Sequence, residues 1–233
     1  MLEALRDRRV LGVSRDPGFA QQMTYLFHAI LRSNFDCADT VEAILRTGKD
    51  RLAGAVLLMF VSDTDDEMAL ADLHLLDDLQ DPPVVIVLQD EEHEVTARAF
   101  LEGADDVVSW PGSLVGLVAR ICARLGIELD KDTQDFADAD WELQTYLSEQ
   151  AELTIAEAQV MRILYARRGE TVSREELSQL IDGRPWQYGD RKFDVHVANI
   201  RKKLRTAFGS EFSVATVRTK GYRLATKGAV LPV

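Results

Sequence analysis

LTIAEAQVMRILYARRGETVSREELSQLI at 153–181, DRKFDVHVANIRKKLR at 190–205 and TVRTKGYRL at 216–224 are the stretches that decide how this chain is read. Thr154 with Glu157 three residues on is a capping-box pair, in which each side chain satisfies the other residue's free backbone N–H at a helix start. Ala158, Met161, Ile163, Leu164 and Tyr165 supply the apolar stripe of that helix, which closes near Gly169. Ser173 and Glu176 repeat the start signal, followed by Leu177, Leu180 and Ile181 up to Gly183. After the polar turn GRPWQYGD (183–190), a third helix is expected from Arg191 to about Ala207. Phe193, Val197, Ile200 and Leu204, spaced four, three and four, bury one of its faces. Its exposed positions hold Lys192, His196, Asn199, Lys202 and Lys203, and the last stretch alternates like a β-hairpin.

Three helices and a basic hairpin suffice for a winged helix. In such a module one helix fits the DNA major groove, rim lysines and arginines neutralise phosphates, and the hairpin reaches the neighbouring minor groove. The charge distribution agrees. The net charge of −12 is uneven: residues 1–130 carry 11 Lys/Arg against 24 Asp/Glu, and residues 151–233 carry 15 against 9. An acidic body joined to a basic tail points to a nucleic-acid partner for the tail.

Between these halves, DKDTQDFADAD at 130–140 has almost no large apolar residue and reads as an acidic linker at 129–140. The expected domains are therefore 1–128 and 141–228, with Trp141-Glu142-Leu143 opening a short strand. The N-terminal half alternates apolar runs with amphipathic stretches. Strands are expected at Arg9–Val13, Phe35–Thr40, Ala55–Phe60, Pro83–Leu88 and Val107–Ser109. Helices are expected at Gly18–Ser33, Val41–Lys49, Glu67–Leu79, Glu94–Gly103 and Ser113–Leu125. Five βα repeats make an α/β doubly wound parallel sheet, and its central strands are continuously apolar because both faces are covered.

Nothing points to a membrane or to export. No apolar run approaches the ~20 residues of a membrane span, and MLEALRDRRV lacks the apolar stretch of a secretory signal, so a cytoplasmic protein is expected. Cys37 and Cys122 match no metal-ligand spacing, and no cofactor is implied. His28, His74, His93 and His196 have no nucleophile or metal cluster beside them, so an enzyme is the weakest reading.

The order and spacing of "LT..E", "SRE.L", "DR..DVHV..IRKKL" and "TVR..GYRL" resemble the effector domain of OmpR/PhoB-type response regulators. That resemblance implies DNA contacts from Lys192, Val195, His196 and Asn199 on the recognition helix. Arg201, Lys202 and Lys203 follow along it, and Arg218 and Lys220 lie on the wing. An amide such as Asn199 grips adenine N6 and N7, and Val195 suits a thymine methyl. Asp194 is better read as a salt-bridge residue holding the helix. Thr219 stands where the family usually has glycine.

The N-terminal half resembles the family's receiver domain in outline, through RRVLGVSRDP at 8–17 and GADDVV at 103–108 followed by Pro111. A receiver accepts a phosphoryl group on an aspartate at the end of its third strand, with Mg²⁺ held by an acidic pair after the first. Lined up with it, this chain puts Ser14 and Arg15 at the acidic pair, with Asp16 beside them. Met59 falls at the acceptor, Leu88 at the Thr/Ser position and Trp110 at the lysine. Met59, Leu88 and Trp110 are expected to converge as apolar packing, or as an apolar pocket for a ligand or partner. Asp63 or Asp65 would be the displaced acceptor in a rival, conventional phospho-switch. The family's dimer face implies roles for Arg98, Asp105, Asp106 and Arg120, although Thr96 and Gly116 replace one charged pair. The resulting expectation is a homodimeric, sequence-specific regulator of double-stranded DNA acting independently of aspartyl phosphorylation. RNA polymerase or a regulatory protein is a further expected partner, and a protein-interaction adaptor is the other rival.

Overall fold

The computed structural model describes residues 5–90, 94–128 and 141–227, and divides the chain into two units, Met1–Trp141 and Glu142–Val233. The expected acidic linker at 129–140 lies outside the described residues.

The first unit is a five-stranded parallel sheet in the order β2-β1-β3-β4-β5, with β1 Arg9–Val13, β2 Asn34–Ala38, β3 Val56–Val61, β4 Val84–Asp90 and β5 Asp106–Trp110. Every residue of β3 is buried, as expected of a central strand covered on both faces. Helices α1 Pro17–Thr24, α2 Val41–Arg46, α3 Thr64–Ala69, α4 Thr96–Leu101 and α5 Leu114–Arg124 follow the strands in turn. Side-chain caps start four of them: Asp16 for α1, Thr40 for α2, Asp63 for α3 and Ser113 for α5.

Two of the expected helices are wound differently. The segment after α1 continues as π-helix through Tyr25–Leu31 and stops at Arg32, whose φ of 58° is left-handed. The third begins earlier than Glu67, because Asp63 accepts the Asp66 N–H at 2.8 Å, and it tightens to 3₁₀ over Leu70–Leu76. A 3₁₀ turn repeats every three residues, which puts Leu70, Leu73 and Leu76 on one buried stripe.

The second unit is an α+β winged helix-turn-helix: α6 Trp141–Gln150, α7 Ile155–Ala166, α8 Arg174–Asp182, α9 Lys192–Phe208, then the hairpin β6 Phe212–Val217 and β7 Gly221–Thr226. Both capping boxes form, Thr154 with Glu157 and Ser173 with Glu176. Phe193, Val197, Ile200 and Leu204 are the buried residues of α9, as their spacing requires. The strand expected to open at Trp141 is instead helical. Three residues are too few for a period to decide, and the run that follows buries Thr145, Leu147 and Ser148 on a helical face. Val172 bridges to Tyr222 and ties the start of α8 to the wing.

Candidate nucleic-acid interface

The solvent face of α9 is built by exclusion. Four apolar residues turn inward, so Val195, Asn199 and Lys202 are left outward, with Val195 56% exposed despite its apolar side chain. Arg218 and Lys220 are exposed at the wing turn between β6 and β7. Thr219 itself has a φ of 62°, the left-handed conformation for which glycine is the usual occupant. The turn therefore keeps its shape with a strained non-glycine residue, and the Thr219 hydroxyl bonds the Arg218 carbonyl.

Other residues of the expected interface are engaged within the unit. Lys192 Nζ pairs with Asp182 at 2.6 Å, at the end of α8. Arg201 spans to β6, donating from Nε to the Val214 carbonyl at 2.5 Å and from Nη2 to Thr216 at 2.6 Å. Lys203 lies against α7, where Nζ reaches Glu157 at 2.7 Å and the Glu152 carbonyl at 2.8 Å. Glu157 is only 3% exposed, so that pair is an internal tie between helices. Burial pulls its carboxyl upward, but Lys203, the Thr154 N–H and the Asn199 amide outweigh burial and hold it below the ordinary range. His196 is half-buried; burial, then the Lys192 charge, lowers its pKa and favours the neutral ring.

Asp194 accepts from Arg174 of α8 at 2.6 Å and from the Tyr222 hydroxyl of β7 at 2.5 Å, while the Arg174 guanidinium lies over the Tyr222 ring. Arg174 dominates among the influences that hold the Asp194 carboxyl below its usual range. One carboxylate thus joins the first helix of the motif, the recognition helix and the wing. Arg174 and Tyr222 stand inside the quoted motifs, yet neither spacing nor charge marks them as this joint.

In the first unit the carboxyl edge of the sheet is apolar. Phe19 stacks on Phe60 with ring centroids 4.9 Å apart and meets Trp110 edge-on at 6.4 Å. Phe60 pairs in register with Leu88, and Phe19, Phe60, Leu88 and Trp110 belong to one buried cluster. The expected convergence of Met59 with Leu88 and Trp110 is corrected here. Met59 points to the opposite face with Leu57, Val61 and Leu73, because alternate residues of a strand face opposite ways. Phe60 takes the place assigned to Met59. The period-two alternation from Val56 through Leu58 carries that signal; alignment by strand length alone misses it by one residue.

The neighbouring polar groups are committed to local structure. Ser14 is buried and accepts from the Asp16 N–H, Arg15 is exposed, and Asp16 caps α1 through the Phe19 N–H. Asp63 caps α3 and Asp65 is exposed beside it. Gln89, next after Leu88, accepts from the Val95 N–H and the Thr96 hydroxyl and donates to Glu94, fastening β4 to the start of α4.

On the expected dimer face, Asp106 is buried and takes Arg120 at 3.1 Å and Arg124 at 3.4 Å from its own chain. Arg98 pairs with Glu67 at 2.9 Å, and Asp105 accepts the Val85 N–H at 2.7 Å. Phe100 and Leu101 of α4 are exposed, Leu101 by 88%.

A protein-family model described as "Transcriptional regulatory protein, C terminal" matches residues 148–224, most of the second unit. A transcriptional regulatory protein of Haemophilus influenzae, a CpxR homolog, is 33% identical over 138 residues, 53% of this chain and 60% of that protein. The transcriptional activator protein PfeR of Pseudomonas aeruginosa is 27% identical over 227 residues, 93% of this chain and 72% of that one, so the likeness runs through both units. The chain belongs to the OmpR/PhoB family of response regulators. Among solved structures, the DNA-binding domain of CpxR from E. coli is 33% identical, covering 32% of this chain and 74% of that one with a TM-score of 0.30. The matches to the first curated relatives span 60–65% of their length. Among the described residues, no helix of this response regulator is long and apolar enough to cross a membrane.

Proposed function

We propose that this response regulator is a sequence-specific, DNA-binding transcription regulator that acts as a homodimer and needs no aspartyl phosphorylation. The observation that carries the DNA reading is the outward face of α9, where Val195, Asn199 and Lys202 remain free of the core while Arg218 and Lys220 stand on the wing. An apolar contact, an amide and flanking cations are the groups that read bases and neutralise phosphates. Lys192, Arg201 and Lys203 contribute mainly by fixing α9 against α8, the wing and α7, and His196 acts as a neutral ring. The relatives, a transcriptional regulatory protein and a transcriptional activator, support the same reading.

Independence from phosphorylation rests on the aromatic cluster. Phe60 and Trp110 bring neither a nucleophilic oxygen nor a cation to the carboxyl edge, and the one carboxylate left after β1, Asp16, is used as a helix cap. Of the two displaced-acceptor candidates, Asp63 is likewise a cap and Asp65 stands exposed beside it, so the rival switch rests on Asp65. Homodimerisation is supported by the exposed apolar pair Phe100 and Leu101 on α4. Selection of bound DNA from a random pool by the full chain, with and without acetyl phosphate and Mg²⁺, tests the reading. A two-half-site motif enriched equally in both is expected. Enrichment only with the phosphodonor would overturn phosphorylation independence, and no enrichment in either would put the protein-interaction adaptor in its place.

A further inference from the structure

Polar side chains tie the wing to α9 at two points, Asp194 and Arg201, which lie about two turns apart on the helix. Asp194 accepts from the Tyr222 hydroxyl of β7 at 2.5 Å and from Arg174 at 2.6 Å. Arg201 presents one edge of its guanidinium to β6, with Nε on the Val214 carbonyl at 2.5 Å and Nη2 on the Thr216 hydroxyl at 2.6 Å. Thr216 and Tyr222 are partners in the hairpin register, so their side chains share one face of the ribbon. Both ties therefore close on one rung. Val195 and Asn199, the residues read as base contacts, lie between the two ties on α9.

Apolar burial alone would not set the direction of the wing. Phe212, Val214 and Leu224 are buried along the hairpin, but apolar contact is non-directional. Hydrogen bonds to charged groups are directional, and a planar guanidinium that uses two adjacent N–H groups fixes an orientation as well as a distance. Arg218 follows Thr216 by two residues, roughly 7 Å of extended chain. A rung held through both strands leaves so short an arm little freedom to swing. Tyr222 is only 1% exposed, which leaves its hydroxyl no access to a nucleic acid.

Resting on the DNA-binding reading, we infer that Arg201 and Tyr222 are positioning residues that lock the wing to α9, so that the minor-groove contact of Arg218 and base reading by α9 form as one event. Neither side chain adds affinity by touching DNA itself. Arg201 leaves the set of phosphate contacts that its charge suggests, because one edge of its fork is spent on β6. With the ties intact, docking α9 delivers Arg218 to its groove at no further ordering cost. With them cut, the wing must be ordered separately.

The test is a double-mutant cycle on the full chain, with affinity measured for the duplex that the wild-type chain selects from a random pool. Tyr222→Phe removes one hydroxyl and keeps the ring beneath Arg174. If it folds poorly, Thr216→Val makes the same comparison, removing one Arg201 acceptor from an exposed strand position and keeping the β-branched shape. Arg218→Ala is expected to cost about tenfold. Each tie variant should cost about fivefold in the wild-type background and less than about twofold in the Arg218→Ala background. Arg201→Lys keeps the charge but cannot make both bonds, and should behave as the tie variants do. Losses that simply multiply in the two backgrounds, whatever the Tm, overturn the positioning role. Arg201→Lys binding like wild type overturns it for Arg201 and returns that charge to the phosphates. An Arg218→Ala chain that binds like wild type overturns the inference while DNA binding stands. Failure of the wild-type chain to select any DNA removes the underlying reading, and this inference with it.

Discussion

Lys202 and Lys203 are adjacent on one helix and have different surroundings. Lys202 is exposed, while Lys203 closes an ion pair on a carboxylate that is almost wholly buried. Lys202→Ala should therefore weaken binding to every DNA sequence alike and lower the slope of log affinity against log salt by about one unit. Its effect on stability should stay within about 0.5 kcal/mol, as for an ordinary surface position. Lys203→Ala strands Glu157, and the cost should be about 2 kcal/mol in denaturant unfolding after allowing for the partly exposed ammonium. Sequence could not separate the two, since a basic residue beside a helix's own apolar stripe looks solvated until the partner helix is in place. A second residue has a consequence for pH. Burial raises the Glu149 carboxyl from 4.5 to about 7, so the folded chain favours the protonated acid. Its contribution to stability is thus full below pH 4.5 and is lost as pH rises through 7. Glu149→Gln should flatten the decline of Tm between pH 5 and pH 8, and an unchanged profile would count against it.

Elements were legible where their boundaries carry chemistry of their own. Ser or Thr followed by Glu at the third position marked the starts of α7 and α8, and the four-three-four spacing marked the buried face of α9. The central strands β3 and β4 were legible because continuous apolar runs of strand length have few other uses. What failed had no local signature. The π-wound stretch after α1 has no residue pattern that sets it apart from an α-helix, and α6 was misread from three residues. The inner face of β3 was misassigned by one position, which in a strand exchanges the two faces entirely. Gly221 is an element-scale constraint that sequence only hinted at. It has φ of 147°, and a Cβ there would lie 2.0 Å from the Val172 carbonyl oxygen, the atom that accepts the Tyr222 N–H. Gly221→Ala should separate the wing from α8 and destabilise by at least about 2 kcal/mol. Equal unfolding midpoints for the two chains would refute this close approach.

At the scale of the whole molecule, each unit of the family pattern has kept its frame and changed its polar centre to a different degree. The effector unit retains outward groups for a nucleic acid and holds them through carboxylates at 157, 182 and 194. In the receiver unit, Phe19, Phe60, Leu88 and Trp110 fill the carboxyl edge, and Gln89 fastens α4 to the end of β4. On the proposed reading, the described residues of this edge give a phosphoryl group no charged centre from which to move α4, and surface is the unit's remaining asset. Asp106, Arg120 and Arg124 satisfy one another within the chain, so charge pairing across a dimer has less to offer there. The apolar side chains of Phe100 and Leu101 are what α4 leaves to be covered. Leu101 is 88% exposed, so Leu101→Glu removes almost no packing within the chain, and its Tm should match wild type. In a twofold dimer the substitution occurs on both sides of the interface at once, placing two like charges where apolar surface was buried. The dimer dissociation constant, read by sedimentation equilibrium, should rise at least about tenfold. Binding to a two-half-site operator should fall with it, while binding to a single half-site should not. A dimer that survives Leu101→Glu unchanged would move the interface away from α4.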